Sequence, residues 1–202
     1  YRSGVASPNG RFLLKNKSLC AIAAPLIAGL ALSLNVTTAS AADKTSIVVG
    51  ADTTFPPFET EVNGKVTGFD IDMIRAIAKA EGLKLTIKTL PFSGLIPSLQ
   101  AGSIDAAVAG ITIKTSRMQS VDFSDAYYKS GLSVLVKKDS KITGFGDLKG
   151  HVVATKKATS SVDYMTSHGI DPQYIKQFQD IDSAYQALET TGADAVIFDN
   201  PV

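Results

Sequence analysis

Two acids, two bases, two aromatic rings and one hydroxyl-rich loop make up the chemically equipped part of this chain: Asp52 and Asp199, Arg117 and Lys156, Phe55 and Phe92, and residues 156–161. Together they suit a small zwitterion. The Arg117 guanidinium can grip a carboxylate with two N–H groups. Backbone N–H groups near Thr112 and over 159–161 can add donors where a helix starts. Asp199 can pair with an ammonium, and Phe55 and Phe92 can sandwich an apolar stem. Simpler alternatives stand beside these roles: core packing for each ring and a surface ion pair for Arg117. Nothing in the set pairs a nucleophile with a base. No Gly-x-Ser-x-Gly, His-Glu-x-x-His, Gly-x-Gly-x-x-Gly or phosphate-loop pattern occurs, so no catalytic residue is expected. Asp70 and Asp72, two apart on a helix, do not share a face; Asp70 reads as an N-cap and the pair as solvent-facing. His151 and His168 read as surface residues. One cysteine and two histidines leave little material for a metal site, and no metal or cofactor is expected.

These residues come together only if certain elements hold them. SIVVGA at 46–51 reads as a buried strand, broken by the Pro56-Pro57 region, with a turn at Asn63-Gly64. The spacing of Ile71, Ile74 and Ala78 predicts a helix over 70–81, ended by Gly82. A strand over 83–89 alternates, Ser93 is placed to cap a short helix carrying Leu95, Ile96 and Leu99, and 105–109 reads as a third strand. Strand, helix, strand, helix, strand is the pattern of a parallel sheet covered by helices. It restarts with strands at 132–136, 151–155, 174–178 and 194–198 and helices at 161–167 and 181–190. Segments 99–110 and 188–199 align at an offset of 89 residues, with Leu, Asp and Ala in common. Two comparable α/β lobes are therefore expected. In such sheets ligands bind beyond the carboxyl ends of the strands, which is where the equipped residues fall.

Charge divides the chain differently. Residues 1–42 hold Arg2, Arg11, Lys15 and Lys17, no acid, and the only cysteine, Cys20. Residues 43–202 hold 16 basic and 19 acidic residues. The basic stretch, an apolar run over 19–34 and Ala39-Ser40-Ala41-Ala42 follow the order of a secretory signal peptide, with cleavage expected after Ala41 or Ala42. The run has 16 residues and contains Pro25, short of the roughly 20 that span a bilayer. The 7% aromatic content and near-neutral charge give no footprint for nucleic acid.

The segments VVGADTTFPPF at 48–58, GFDID at 68–72, FSGLIPSL at 92–99, DAAVAGITIKTSR at 105–117, DFSDAYY at 122–128 and DAVIFD at 194–199 resemble the periplasmic polar amino-acid-binding proteins of ABC importers. FSG at 92–94, AGIT at 109–112, YYKSG at 127–131 and SVDY at 161–164 are most similar to the glutamine-binding members. The resemblance implies an α/β, two-lobed periplasmic-binding-protein fold with parallel-rich sheets and two crossover hinge segments. It divides the chain into a leader (1–42), the N-terminal part of lobe one (43–128) and an incomplete lobe two (129–202), with the second crossover and the C-terminal return expected beyond Val202. It also implies roles. Arg117 and the main chain at Gly110 and Thr112 hold the α-carboxylate, Asp199 the α-ammonium. Asp52 accepts from a side-chain amide or amine, Phe55 and Phe92 flank the aliphatic part, and Lys156 and the Ser160 N–H reach in from lobe two.

The implied protein is a monomer outside the cytoplasmic membrane that hands its amino acid to permease subunits. Asp52 disfavours an acidic ligand, so L-glutamine leads, with arginine, lysine, ornithine and histidine left open. Phe198, where the glutamine pattern has histidine, and Ala158 and Ser160, where its loop has glycines, depart from that pattern. A receptor's sensing domain and a dehydratase-like enzyme on the same fold are the alternatives.

Overall fold

The computed structural model describes residues 45–200, together with the backbone of Arg2–Ser3 and Ala6–Ser7. The expected signal peptide lies outside the described residues.

The β-branched run of β1 (Ser46–Ala51) buries its last three residues, as befits a strand covered on both faces. It pairs in parallel with β2 (Lys84–Thr89) and β3 (Ala106–Ala107). Helix α1 (Phe69–Ala80) presents Ile71, Ile74 and Ala78 to one face of this sheet, and Gly82 ends it in the left-handed region at φ 66°. Helix α2 (Phe92–Gln100) covers the other face through Leu95 and Leu99, packed with Ile104, Ala107 and Ile111. Each such buried leucine or isoleucine contributes about 1.5–3 kcal/mol.

Three local expectations change. Pro91, not Ser93, occupies the N-cap of α2. Strand β3 has two residues instead of five, although Asp105 and Val108 on either side still donate to the Val48 and Gly50 carbonyls of β1. Asp70 is no cap: Gly68 holds that position, and Asp70 is wholly buried in the first turn of α1. Asp72 does face solvent, beside Arg75 at 3.3 Å. A hairpin, Glu59–Val62 with Lys65–Thr67, turns at Asn63-Gly64, where both φ values are positive, as expected for this dipeptide. Ala6–Ser7 lies antiparallel between β3 and Asp122–Phe123, and Arg2–Ser3 pairs with Tyr128–Lys129.

After the short α3 (Thr115–Met118), a second sheet has the order β4 (Gly131–Val136), β7 (Ala195–Asn200), β5 (Val153–Lys156), β6 (Ile175–Phe178), with β4 antiparallel and the rest parallel. Helix α4 (Ser160–Ser167) buries Met165 against Val153, Ala195 and Ile197. Helix α5 (Ile181–Glu189) buries Ile181, Ala184 and Leu188 against Ala154 and Val196 on the opposite face. Strand β7 runs on to Asn200, so Asp199 lies inside the strand, opposite Leu132, and not beyond its end.

The 89-residue offset has a structural counterpart. Asp105 Oδ2 accepts the Val48 N–H at 2.8 Å, and its own N–H donates to the Val48 carbonyl at 2.8 Å. Asp194 does the same to Val152, at 2.8 and 2.7 Å. Each lobe fixes its helix-to-strand corner to a neighbouring chain segment with the same two-bond clamp. His151 and His168 are exposed, as expected.

Candidate functional site

The end of β1, the start of α2 and the end of β5 converge on one carboxylate. Asp52 is 3% exposed. Its Oδ1 accepts from the Thr54 N–H (2.8 Å), the Thr54 hydroxyl (2.6 Å) and Lys156 Nζ (2.8 Å). Its Oδ2 accepts from the Phe92 N–H at 2.8 Å, a donor left over at the start of α2. Lys156 Nζ also donates to Thr54 Oγ1 at 2.7 Å, so the hydroxyl relays between acid and base. The ammonium is 1% exposed as part of its residue and lies 5.7 Å from the centre of the Phe92 ring. On the same ring, 5.4 Å from its centre, lies the Arg117 guanidinium.

Arg117 stands on α3 and is 6% exposed. It donates to the Thr112 carbonyl at 2.9 Å and, across the cleft, to the Ala158 carbonyl at 2.8 Å. Burial pulls its pKa below the ordinary value, opposed by the nearby charges of Asp163 and Asp199. Ala158 accepts this bond from a left-handed backbone, φ 64°. An alanine in a glycine-like conformation thus replaces the glycine of the resemblance, at a cost of about 1–2 kcal/mol.

Asp199 is joined to lobe one through hydroxyls. Ser160, the first residue of α4, donates to Asp199 Oδ1 at 3.4 Å and accepts from Thr112 Oγ1 at 3.3 Å. Burial pushes the Asp199 carboxyl up to about 6; the Ser160 hydrogen bond and the charge of Arg117 act the other way. Beside it, the Phe55 ring stacks on Phe58 with centroids 5.2 Å apart and meets Phe198 edge-on at 5.4 Å. A Cβ on Gly110 would lie 2.7 Å from the Phe55 ring, and φ there is positive, so only glycine fits.

All nine residues singled out in the sequence (Asp52, Phe55, Phe92, Gly110, Thr112, Arg117, Lys156, Ser160 and Asp199) thus line one cleft between the lobes. Asp52, Phe55, Phe92, Lys156, Phe198 and Asp199 enclose a cavity of about 10 Å³, and Phe55, Gly110 and Asp199 border a second of about 10 Å³. Each has room for about one water. Neither is large enough for anything beyond a water-sized molecule. A larger cavity of about 230 Å³ opens beside Arg117, lined by Phe92, Ser93, Lys114 and Ala158. Further out, Lys114 pairs with Asp163, and Ser93 Oγ donates to Gln179 Oε1 at 3.4 Å.

Sequence reasoning missed Thr54, whose position two residues after an acid is a local signal for a side-chain turn. It also missed the Ala158 carbonyl and the buried carboxylate of Asp70, which carry no such signal. Asp70 Oδ2 accepts from the Gly110 N–H at 2.9 Å and the Tyr127 hydroxyl at 2.7 Å.

Comparison with known proteins gives a consistent result. Residues 47–198 match the family of bacterial extracellular solute-binding proteins, family 3. A probable histidine-binding protein of Neisseria gonorrhoeae is 35% identical over 76% of this chain and 59% of its own length. A glutamine-binding protein of Geobacillus stearothermophilus is 39% identical over 68% of this chain and 53% of its own length. The chain thus spans little more than half the length of these relatives. Among solved structures, the arginine-, lysine-, histidine-binding protein ArtJ from Geobacillus stearothermophilus superposes with a TM-score of 0.75 at 38% identity, over 78% of this chain and 68% of that one. These relatives are named as binding proteins, not enzymes, and the fold they share with this chain is the two-lobed α/β one.

Proposed function

The chain belongs to the bacterial extracellular solute-binding proteins, family 3, and on that premise we propose that it captures L-glutamine outside the cytoplasmic membrane and delivers it to the permease subunits of an ABC importer. Export by the leader, cleaved near Ala41 or Ala42, and action as a monomer are part of this reading. Arg117, with the main chain at Gly110, Thr112 and Ser160, receives the α-carboxylate; Asp199 receives the α-ammonium; Phe55 and Phe92 flank the aliphatic stem. The lobes, 43–128 and the part beginning at 129, part to admit the ligand and close on it, and the ligand favours closure by binding that form more tightly.

The buried pair of Lys156 and Asp52, 2.8 Å apart, carries the choice of ligand. An acidic side chain would face the Asp52 carboxylate, and a cationic one would face the Lys156 ammonium. A carboxamide satisfies both, its carbonyl accepting from Lys156 and its NH₂ donating to Asp52. The glutamine-binding relative supports the same choice. Two charge-assisted contacts and a packed stem are consistent with micromolar binding, about −8 kcal/mol.

Titration calorimetry of the full-length protein with L-glutamine, L-arginine, L-histidine and L-glutamate tests the proposal. The expected result is micromolar binding of L-glutamine and no heat with L-glutamate. Tighter binding of L-arginine or L-histidine overturns the ligand assignment, and no heat with any amino acid overturns the binding role.

A further inference from the structure

Behind the cleft lies a second acidic group that the ligand roles leave unused. Glu59, at the start of the hairpin, is 0% exposed, and so is Asp70 at the start of α1. Both Glu59 carboxyl oxygens and Asp70 Oδ1 are buried without a hydrogen-bond partner among the described residues. The other Asp70 oxygen is doubly occupied, by the Gly110 N–H and the Tyr127 hydroxyl. The Asp70 N–H donates to the carbonyl of Phe58, the neighbour of Glu59, at 3.1 Å, and the two acidic side chains act on each other; both ionised, out of water, they would each carry an uncompensated charge. Protonating one of them removes a charge, and its O–H can then donate a hydrogen bond to the unfilled acceptor of the other.

We propose that Glu59 is a positioning residue for the amino-acid site: it is held as a neutral carboxylic acid whose O–H donates to Asp70 Oδ1, and it thereby keeps the Asp70 carboxylate aimed at Gly110. The inference rests on the amino-acid-binding role proposed above. Gly110 is the link to the ligand. Its backbone lies hard against Phe55, and the chain continues from it to Thr112, whose hydroxyl meets Ser160. An Asp70 that lost its second contact would turn between its donors, the Gly110 N–H and the Tyr127 hydroxyl, and release the Gly110 turn. The groups facing Glu59 agree with the assignment of the proton. Burial, then Asp70, then Asp52 raise its pKa, to about 11, and Lys156 opposes them more weakly. Tyr127 is driven upward by burial and by Asp70, so its hydroxyl keeps its proton and stays a donor.

The test has two readouts on the full-length protein. Infrared spectroscopy of the wild type at pH 8, where an ordinary carboxyl group is ionised, should show the carbonyl stretch of a protonated carboxylic acid, and Glu59→Gln should lack it. Absence of that band from the wild type overturns the proposal. In L-glutamine titrations, Glu59→Gln keeps a donor for Asp70 and should stay within about threefold of wild type. Glu59→Met fills the space without a donor and should bind about tenfold more weakly. Equal affinities for the two variants, or equal losses, overturn the positioning role. If Glu59→Met fails to fold, the band decides. A wild type that shows the band but gives no heat with L-glutamine counts against the ligand and for the carboxyl pair.

Discussion

Lys156 Nζ lies 2.8 Å from Asp52 Oδ1 across 104 residues of sequence, and both side chains are almost wholly buried. Breaking such a pair by removing one partner leaves the other charge uncompensated. In Lys156→Met the Asp52 carboxylate should therefore accept a cationic side chain in place of the ammonium. Competition calorimetry should show the affinity ratio of L-arginine to L-glutamine rising at least about tenfold over wild type. An unchanged ratio would remove Lys156 from the choice of ligand.

Arg117 spends its N–H groups on the Thr112 and Ala158 carbonyls, positions a ligand carboxylate can contest. Arg117→Ala should lower L-glutamine affinity by a factor of about 30 or more, the range for truncating one partner of a buried charge pair. Arg117→Lys should not restore it, because an ammonium lacks the planar fork. Wild-type affinity in either variant, measured by calorimetry, refutes the carboxylate role.

The raised pKa of Asp199, about 6 against a usual 3.8, gives two pH effects of opposite sign. A carboxyl whose pKa is higher in the folded state contributes stability that is fully present below about 4 and is lost as pH climbs to about 6. In the proposed role Asp199 meets the ligand ammonium as a carboxylate, so affinity should instead fall as pH drops through 6, by about tenfold at pH 5. Melting curves without ligand and L-glutamine titrations at pH 7.5, 6 and 5 separate the two, and Asp199→Asn should flatten both. A pH-independent affinity in the wild type would show that Asp199 does not meet the ammonium.

Ala158 sits at φ 64°, where a Cβ is unfavourable. Ala158→Gly should stabilise the fold by up to about 1 kcal/mol, the relief of left-handed strain less the added freedom of glycine in the unfolded chain. Urea unfolding at neutral pH measures this, and a destabilised variant would mean that the Ala158 methyl has packing value.

The legible parts of the fold were those written in local periodicity. Ile71, Ile74 and Ala78 announce the buried stripe of α1, Asn63-Gly64 its preceding turn, and the repeated Leu-Asp-Ala spacing the likeness of the lobes. The site was legible because several of its members, such as Asp52 and Lys156, lie at or just past strand ends, where chain direction brings them together, and Arg117 and Ser160 lie on the short helices that follow. Asp70 was not. A short acid near a helix start is ordinarily a cap, and only contacts with Gly110 and Tyr127, 40 and 57 residues away, draw it inward. The cap position itself belongs to Gly68 because a Cβ there would lie 2.2 Å from the Phe58 carbonyl. Glu59 was hidden for a related reason: the hairpin's composition reads as solvent-exposed, and nothing local reports that its first residue points inward.

The twin clamps of Asp105 on Val48 and Asp194 on Val152 have a mechanical meaning. Each fastener joins parts of the same lobe, whereas the contacts across the cleft run through side chains such as Lys156, Arg117, Lys114 and Ser160. Prying the cleft apart loads the second group and leaves the first untouched. Parting the lobes would thus cost only the detachable side-chain bonds of the bite, while both clamps stay fastened.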